Sequence, residues 1–304
     1  MNEIIYILAF VREAVAGIGL FFIIGITLAS LIKTFQLDAY LRKAFETNAR
    51  AAIPIASGTG TFSPLCSCGV IPAIAALLAS GVPLAPIMAF WITSPLMDPE
   101  SFVLTYGILG MEMAMARLVA AMGIGLTAGY TTLYLSNKGL LKNQLLKNHK
   151  ASSSSVVDPE IELSKTQHLI VRLFQFLINF KALGIFVGKF ILIAFVLEAL
   201  MVQYIPMDWV GDVLGSNNPY GPLLAALIGV PAYASSISAM PIVRGLMDLG
   251  MDKGTALSFM IGGGATSIPA MVAVYSIVRK RTFLLYITFS MVGAIVAGYL
   301  YRLF

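Results

Sequence analysis

Long apolar segments alternate with short charged stretches along this chain, and many of the apolar segments are interrupted by Gly or Pro. In the first half, the runs 15–32 and 113–135 predict complete transmembrane helices, which need about 20 residues. Three shorter apolar runs lie between them, at 51–61, 62–79 and 83–97. Their length and their Gly and Pro residues predict half-helices or re-entrant segments, the last two joined as a hairpin.

The second half repeats this order of segments. A constant offset of 169 residues pairs Gly19 with Gly188, Pro72 with Pro241, Phe90 with Phe259, Tyr106 with Tyr275 and Gly129 with Gly298. The corresponding apolar runs are 184–201, 220–230, 234–249, 254–270 and 282–301. Duplication of interrupted apolar segments is typical of transporters, in which the substrate lies where the two copies meet. We therefore predict a first membrane repeat (1–135), a linker with an amphipathic helix (136–181) and a second membrane repeat (182–304).

The distribution of Lys and Arg predicts the orientation of these segments. The linker and the loop after the first span are basic, so both are predicted to be cytoplasmic. The loop that follows residue 201 is acidic and is predicted to lie outside the cell. The loop predicted at 98–112 is acidic, whereas its counterpart contains the Arg-Lys-Arg sequence 279–281. Because the charge alternates in opposite phase in the two copies, the repeats are predicted to be inverted relative to each other.

The composition supports a membrane protein. Of the 304 residues, 58% are hydrophobic and 12% are charged, and the mean hydropathy is +0.86. Soluble domains carry about 25% charged residues. We therefore predict an all-α polytopic membrane protein with about 8–10 membrane segments, because membrane strands would alternate apolar and polar residues. It is expected to be a multi-pass protein in contact with lipid. Its net charge of +5 lies in short loops, so no nucleic-acid partner is expected, and a homo-oligomer is left open.

The two cysteines form the most specific local pattern. Cys66 and Cys68 flank Ser67, and Pro and Gly residues surround the three. Residues two apart diverge by about 200° on an α-helix but face the same way in extended backbone, which the surrounding Pro and Gly favour. Thiols bind soft partners such as Cu(I), Zn(II) and other thiophilic species. Residues 66–68 are therefore predicted to bind substrate or metal, the alternative being that the cysteines are small fillers at a tight helix crossing.

Hydroxyl groups and glycines complete the predicted site. At the repeat offset, Cys66 aligns with Ser235 and Ser67 with Ser236. The second hairpin arms add the candidate substrate-binding residues Thr93, Ser94, Gly262, Gly263, Gly264, Thr266 and Ser267. The three consecutive glycines predict a broken helix that exposes backbone groups to a substrate. The alternatives are that the serines of the 235–236 segment bond to their own backbone and that the glycines permit close helix packing.

Four charged residues within the apolar segments are candidates for coupling transport to an ion: Lys189, Glu198, Arg244 and Asp248. Charges inside a membrane are costly, and they frequently mark ion or substrate pathways. Arg244 and Asp248 are four residues apart, so they could instead form an ion pair on one helix face. Lys189 and Glu198 lie near the ends of their run and could extend to the membrane surface.

A family resemblance is carried by two runs, SPLCSCGVIPAIAALLASGVPLAPIMAFWITSPLMDPESF and GVPAYASSISAMPIVRGLMDLGMDKGTALSFMIGGGATSIPAMV. They resemble the predicted permease family that includes YraQ-type proteins and the ArsP organoarsenical efflux permeases. The resemblance covers most of both repeats and carries over the motif residues Pro64, Cys66, Cys68, Gly69 and Pro72. It implies an inner-membrane permease, and it implies export of trivalent organoarsenicals or of a soft metal such as copper or zinc.

The leading functional hypothesis is a secondary transporter that exports a thiophilic solute by alternating access. One alternative is transport of a small anion or sulfur compound, held by hydroxyls and backbone N–H groups. A third is an accessory membrane subunit. No zinc-protease or ATP-binding motif and no usefully spaced pair of carboxylates is present in the sequence, so neither an enzyme nor a cofactor is expected.

Overall fold

A computed structural model gives the fold of the chain. It describes residues 49–63, 70–79, 82–138, 219–232, 236–267 and 278–303, together with the single positions 27, 177, 178, 180, 181, 185, 271, 272, 274 and 275. Apart from a few positions, the predicted spans 15–32 and 184–201 and the linker 136–181 lie outside the described residues. The predictions made for them stay predictions.

All regular elements of the described residues are α-helices, as the composition predicted. They are α1 (Ala49–Thr61), α2 (Val70–Ala79), α3 (Leu84–Leu96), α4 (Pro99–Leu109), α5 (Met111–Asn137), α6 (Gly221–Ala232), α7 (Ser236–Asp248), α8 (Lys253–Thr266) and α9 (Lys280–Arg302).

Helices α5 and α9 are the two within the described stretches that are long and apolar enough to cross a membrane. They begin at Met111 and Lys280, which the repeat offset of 169 residues relates. Both helices expose large apolar side chains, such as Val119 in α5 and Leu284 in α9. Apolar side chains exposed along a long helix suit contact with lipid.

The shorter helices occupy equivalent places in the two halves. α2 and α3 form a hairpin, as do α7 and α8, with second arms close to the predicted runs 83–97 and 254–270. The turn within each hairpin closes through the same hydrogen bond: Val82 N donates to Leu77 O (3.2 Å), and Met251 N donates to Leu246 O (3.0 Å). The repeat in the sequence is therefore accompanied by a repeat of local structure.

The acidic segment 98–112, which the sequence predicted to be a loop, is largely helical. Most of it is helix α4. The Asp98 side chain caps this helix by accepting a hydrogen bond from Ser101 N at 2.6 Å, and Pro99 occupies the first turn, where its missing N–H costs nothing. Gly110, with φ of 93°, then redirects the chain into α5.

Glycines allow the short helices to approach the long ones closely. A Cβ atom on Gly129 of α5 would lie 3.4 Å from Ala85 O of α3. In the second half, a Cβ atom on Gly298 of α9 would lie 2.7 Å from Gly254 O of α8. The offset of 169 residues relates both partners of the first contact to those of the second. Small residues at a crossing let helix backbones pack closely in a membrane.

The long helices α5 and α9 contact each other and run in opposite directions. Near the start of α5, Glu112 accepts a hydrogen bond at 2.9 Å from Tyr301, which lies near the end of α9. Halfway along both helices, Ile124 of α5 lies against Gly293 of α9. Lys253, at the start of α8, forms an exposed ion pair with Glu112 (Nζ–Oε2 2.7 Å). The two halves therefore meet along an antiparallel pair of equivalent helices.

Candidate functional site

Two helices end in the interior of the protein, at related positions. α3 ends at Leu96 and α8 ends at Thr266, and the backbone leaves the helix at Met97 (φ −150°, ψ 121°) and at Ser267 (φ −55°, ψ 145°). All four residues are buried. The last carbonyl groups of a helix have no partner within it, so each of these ends needs a donor from elsewhere.

Arg117 of α5 supplies a donor to the end of α3. Its side chain is fully buried, and its Nε atom donates a hydrogen bond to Leu96 O at 3.0 Å. Its Nη1 atom donates to Thr105 Oγ1 of α4, also at 3.0 Å. Thr105 Oγ1 donates in turn to Ser101 O at 2.6 Å, and it lies 3.7 Å from Met240 Sδ of α7. One guanidinium thus connects α3, α4 and α5.

Tyr286 of α9 supplies the donor to the end of α8. Its hydroxyl donates to Ala265 O at 2.6 Å, and its ring lies against Trp91 of α3 with centroids 5.3 Å apart. Tyr286 and Ala265 are the residues that the repeat offset pairs with Arg117 and Leu96. The same contact therefore occurs twice, once with a cation as donor and once with a phenol.

Sequence reasoning missed Arg117. The residue lies within the predicted span 113–135, and an arginine alone in an apolar helix is by itself a sign of a buried functional group. Its partners were not visible in the sequence because the carbonyl of Leu96 carries no sequence signal, and Thr105 was placed in a loop.

The threonines predicted to bind substrate bond to their own helices. Thr93 Oγ1 donates to Ala89 O at 2.8 Å, and Thr266 Oγ1 donates to Gly262 O. Both side chains are fully buried. These hydrogen bonds lie within each helix, and a role of the two threonines toward a substrate stays a prediction. Ser94 is buried beside Thr93, and Ser267 is buried at the end of α8.

The predicted break at the three glycines is wrong. Helix α8 continues through Gly262, Gly263 and Gly264, all buried, and ends after Thr266. A Cβ atom on Gly262 would lie 2.9 Å from Ala226 Cα, and one on Gly229 would lie 3.1 Å from Gly263 N. These glycines let α6 and α8 pack closely, as the alternative interpretation held. The helix survives because this packing offsets the intrinsic cost of glycine, roughly 1 kcal/mol per residue.

The predicted thiol site lies outside the described residues. Cys66, Ser67 and Cys68 fall between α1 and α2, and Ser235 falls between α6 and α7. Ser236 begins α7, but its side chain is also outside the described set. The residues that flank the cysteine segment, Ser63 and Val70, are buried.

A comparison with known families now bears on the function. A family model described as a predicted permease, ArsP_1, matches residues 3–303. The chain belongs to this predicted permease family. It is therefore a membrane protein, and its relatives indicate transport rather than catalysis.

Individual relatives of this permease agree with that assignment. It is 25% identical to the UPF0718 protein YcgR of Bacillus subtilis, over 90% of this chain and 88% of that one. It is 24% identical to the UPF0718 protein YraQ of Escherichia coli, over 91% of this chain and 75% of that one. A protein of Streptococcus mutans described as a putative two-component membrane permease complex subunit is 21% identical over 68% and 64%. No solved structure gives a significant match.

The charged candidates of the permease separate into two groups. Arg244 and Asp248 of α7 form the predicted ion pair, with 3.3 Å between Nε and Oδ1 and side chains 55% and 63% exposed. It is the ion pair on one helix face that the sequence analysis gave as the alternative to a coupling role. Lys189 and Glu198 lie outside the described residues. Among the residues that the structure describes, no group of three or more His, Cys, Asp or Glu side chains is arranged to hold a metal ion.

Proposed function

We propose that this permease is a secondary transporter that exports a thiophilic solute, either a trivalent organoarsenical or a soft metal ion, by alternating access. The proposal has three parts, which are the inverted arrangement of the halves, the position of the thiols and the direction of transport. Family membership supports a role in transport.

The antiparallel contact between α5 and α9 is the observation that carries the proposal. These helices are related by the repeat offset, and the start of α5 lies beside the end of α9. If both cross the membrane, the two repeats enter it from opposite sides. That is the inverted arrangement in which rocking of one half against the other gives alternating access.

The charges at the helix ends support the same arrangement. Antiparallel packing brings the end of α5, at Asn137, to the same face as the start of α9. Lys138 follows α5, and the Arg-Lys-Arg sequence 279–281 stands at the start of α9. Basic residues favour the cytoplasmic side, so both ends and the linker 136–181 are proposed to face the cytoplasm of a multi-pass inner-membrane protein.

The thiols are proposed to be the main ligands of the solute. Cys66 and Cys68 lie in the connection between α1 and α2, and Ser235 and Ser236 lie at the equivalent connection in the other half. Trivalent arsenic and soft metal ions exchange thiolate ligands readily, so a pair of thiols suits both binding and release. Ser67 and the hairpin-end residues Thr93, Ser94, Gly262, Gly263, Gly264, Thr266 and Ser267 are proposed to line the same path.

Export assays on a cysteine variant test this function. Everted membrane vesicles containing the wild-type protein are expected to accumulate a trivalent methylarsenical, and the double variant Cys66→Ser, Cys68→Ser is expected to lose that accumulation. A pentavalent methylarsenical, which has no affinity for thiols, serves as the matched solute and should not be transported. Undiminished accumulation by the double variant would remove the thiols from the mechanism.

A second candidate is transport of a small anion or sulfur compound, held by hydroxyls and backbone N–H groups. The glycine part of that hypothesis is weakened because Gly262, Gly263 and Gly264 lie inside a continuous helix. Uptake or export of sulfate, phosphate or thiosulfate that is unchanged in the cysteine double variant would favour this candidate over the first.

The Streptococcus relative raises the question of a partner subunit. That relative is described as a subunit of a permease complex. We propose that the present chain transports either by itself or as a homo-oligomer. Transport by the purified protein in liposomes would support this, and activity that requires a second polypeptide would make it an accessory subunit instead.

A further inference from the structure

We infer that Arg117 is a positioning residue that fixes the end of α3 to α4 and α5, and that the second half has only a single-bond version of this anchor at Tyr286. Neither Arg117 nor Tyr286 was predicted from the sequence to be a functional residue. The anchor itself does not depend on the proposed function, but its consequence for transport does.

The two donor atoms of Arg117 hold their acceptors in a fixed geometry. Arg117 uses Nε for Leu96 O and Nη1 for Thr105 Oγ1, each at 3.0 Å. A guanidinium presents its N–H groups in a rigid fork, so both acceptors are held in a fixed relation to each other. The chain between them contains the bend at Met97 and the cap at Asp98, so the fork clamps both sides of the break.

Arg117 also places a positive charge at the carbonyl end of α3. The carbonyl end of a helix carries a partial negative charge, and a cation near it is stabilising. Burying a guanidinium is costly unless its N–H groups are bonded. The phenol of Tyr286 makes the equivalent bond without that cost, so capping the last turn does not require a cation. Arg117 differs from Tyr286 in that it also donates a hydrogen bond to Thr105 of α4.

The hydrogen bonds of Arg117 also bear on the mobility of α3, α4 and α5. In the first half, α3, α4 and α5 share one buried hydrogen-bond network, which extends through Thr105 to Ser101 O. These helices are therefore expected to move as one body. Thr93 and Ser94 lie in the last turn of α3, so the same network sets where the proposed solute path passes the end of this helix.

Hydrogen exchange of the intact protein in detergent tests the anchor. Amides near the break include Met97 N, bonded to Thr93 O at 3.0 Å, and Phe102 N, bonded to Asp98 O at 2.9 Å. Arg117→Gln is expected to speed exchange in a peptide covering 97–105, with no change in a peptide covering 253–266. Arg117→Lys should give a smaller effect. Arg50→Gln, which removes an exposed arginine of α1, is the matched control and should change neither peptide.

Two results would overturn the anchor. One is unchanged exchange at 97–105 in Arg117→Gln, and the other is an equal rise in both peptides. If Arg117→Gln does not fold, Arg117→Tyr decides, because the second half carries Tyr at this place. Arg117→Tyr should fold, protect the end of α3 and still loosen α4, and equal protection of α4 would contradict the inference.

Transport kinetics test the positioning role separately. Arg117→Gln is expected to lower the maximal rate on the order of tenfold or more, since small misplacements of positioning groups commonly cost this much. Arg117→Lys should recover part of that rate, and Arg50→Gln should keep all of it. Faster exchange at 97–105 with an unchanged rate would remove the positioning role. A wild-type protein that transports neither a trivalent organoarsenical nor a soft metal ion would refute the proposed function while leaving the exchange result to decide the anchor.

Discussion

Glycine residues in the long helices differ sharply in their surroundings, although the sequence shows them as alike. Gly125 of α5 is buried, and a Cβ atom there would overlap Thr93 Cγ2 and lie 3.1 Å from Ala89 O. Gly123, two residues earlier in the same helix, is exposed and has no atom within 4 Å of that position. One glycine is therefore needed for packing, and the other is not.

These two positions give a matched pair of variants. Gly125→Ala is expected to destabilise the protein by about 1–3 kcal/mol, because it overfills a packed crossing whose neighbour includes a backbone carbonyl. Gly123→Ala is expected to be neutral or to stabilise by up to about 1 kcal/mol, because alanine is the better helix former. Thermal unfolding of both variants in the same detergent measures the difference, and similar melting temperatures would contradict this packing.

Side-chain roles were only partly predictable at this scale. The residue types indicated that Thr93, Thr266 and the glycines 262–264 serve either a site or the packing. The structure assigns the hydrogen bonds of both threonines to their own helices and two of the glycines to a helix crossing. The sequence alone could not decide, because a hydroxyl or a glycine suits both purposes until its neighbours are known.

At the scale of elements, the buried ends of α3 and α8 are the features that side chains of the long helices stabilise. Each end has a dedicated donor on the adjacent long helix, at positions 117 and 286. A helix end of this kind is stable in an apolar interior only while its carbonyl groups remain bonded.

Tyr286→Phe removes one of these bonds and leaves the ring in place. The expected loss is about 1–3 kcal/mol of stability, because Ala265 O remains buried without its donor. The ring contact with Trp91 should persist, so the intrinsic fluorescence of the folded protein should change little. Chemical unfolding measures the loss, with Tyr299→Phe as the control because the Tyr299 hydroxyl bonds an exposed position, Pro219 O. Equal losses in the two variants would contradict a special role for the buried bond.

The helices themselves were largely predictable. The runs 113–135 and 282–301 correspond closely to α5 and α9, since continuous apolar stretches of this length have few other stable states in a membrane. Helix α4 was missed because the acidic residues around it indicated a loop. Asp98 followed by Pro99 was nevertheless a readable helix start.

At the scale of the whole molecule, the proposed transport mechanism depends on how the two halves are arranged. Equivalent helices meet in antiparallel fashion, and an exposed set of side chains, Glu112, Lys253 and Tyr301, joins the halves at one end. The duplication was readable in the sequence because the offset is constant. The contacts between the halves were not, since each depends on side chains far apart in the chain.

Labelling of single cysteines tests the inverted arrangement. In a protein with Cys66 and Cys68 replaced by Ser, Lys138→Cys and Lys280→Cys should both react with a membrane-impermeant maleimide only in everted vesicles. Glu112→Cys should react only from the opposite side, in intact cells or spheroplasts. All three positions are exposed in the folded chain, so failure to react on one side reports the membrane rather than burial. Labelling of 138 and 280 from different sides would refute the inversion.

The unequal pair Arg117 and Tyr286 has a consequence for how this gene could have evolved. A chimera assembled from two first halves would enclose two guanidinium groups, and one assembled from two second halves would enclose none. Since an enclosed cation is expensive and its absence would leave α4 less firmly held, neither chimera should replace the natural protein. The two halves are therefore expected to be complementary and not interchangeable.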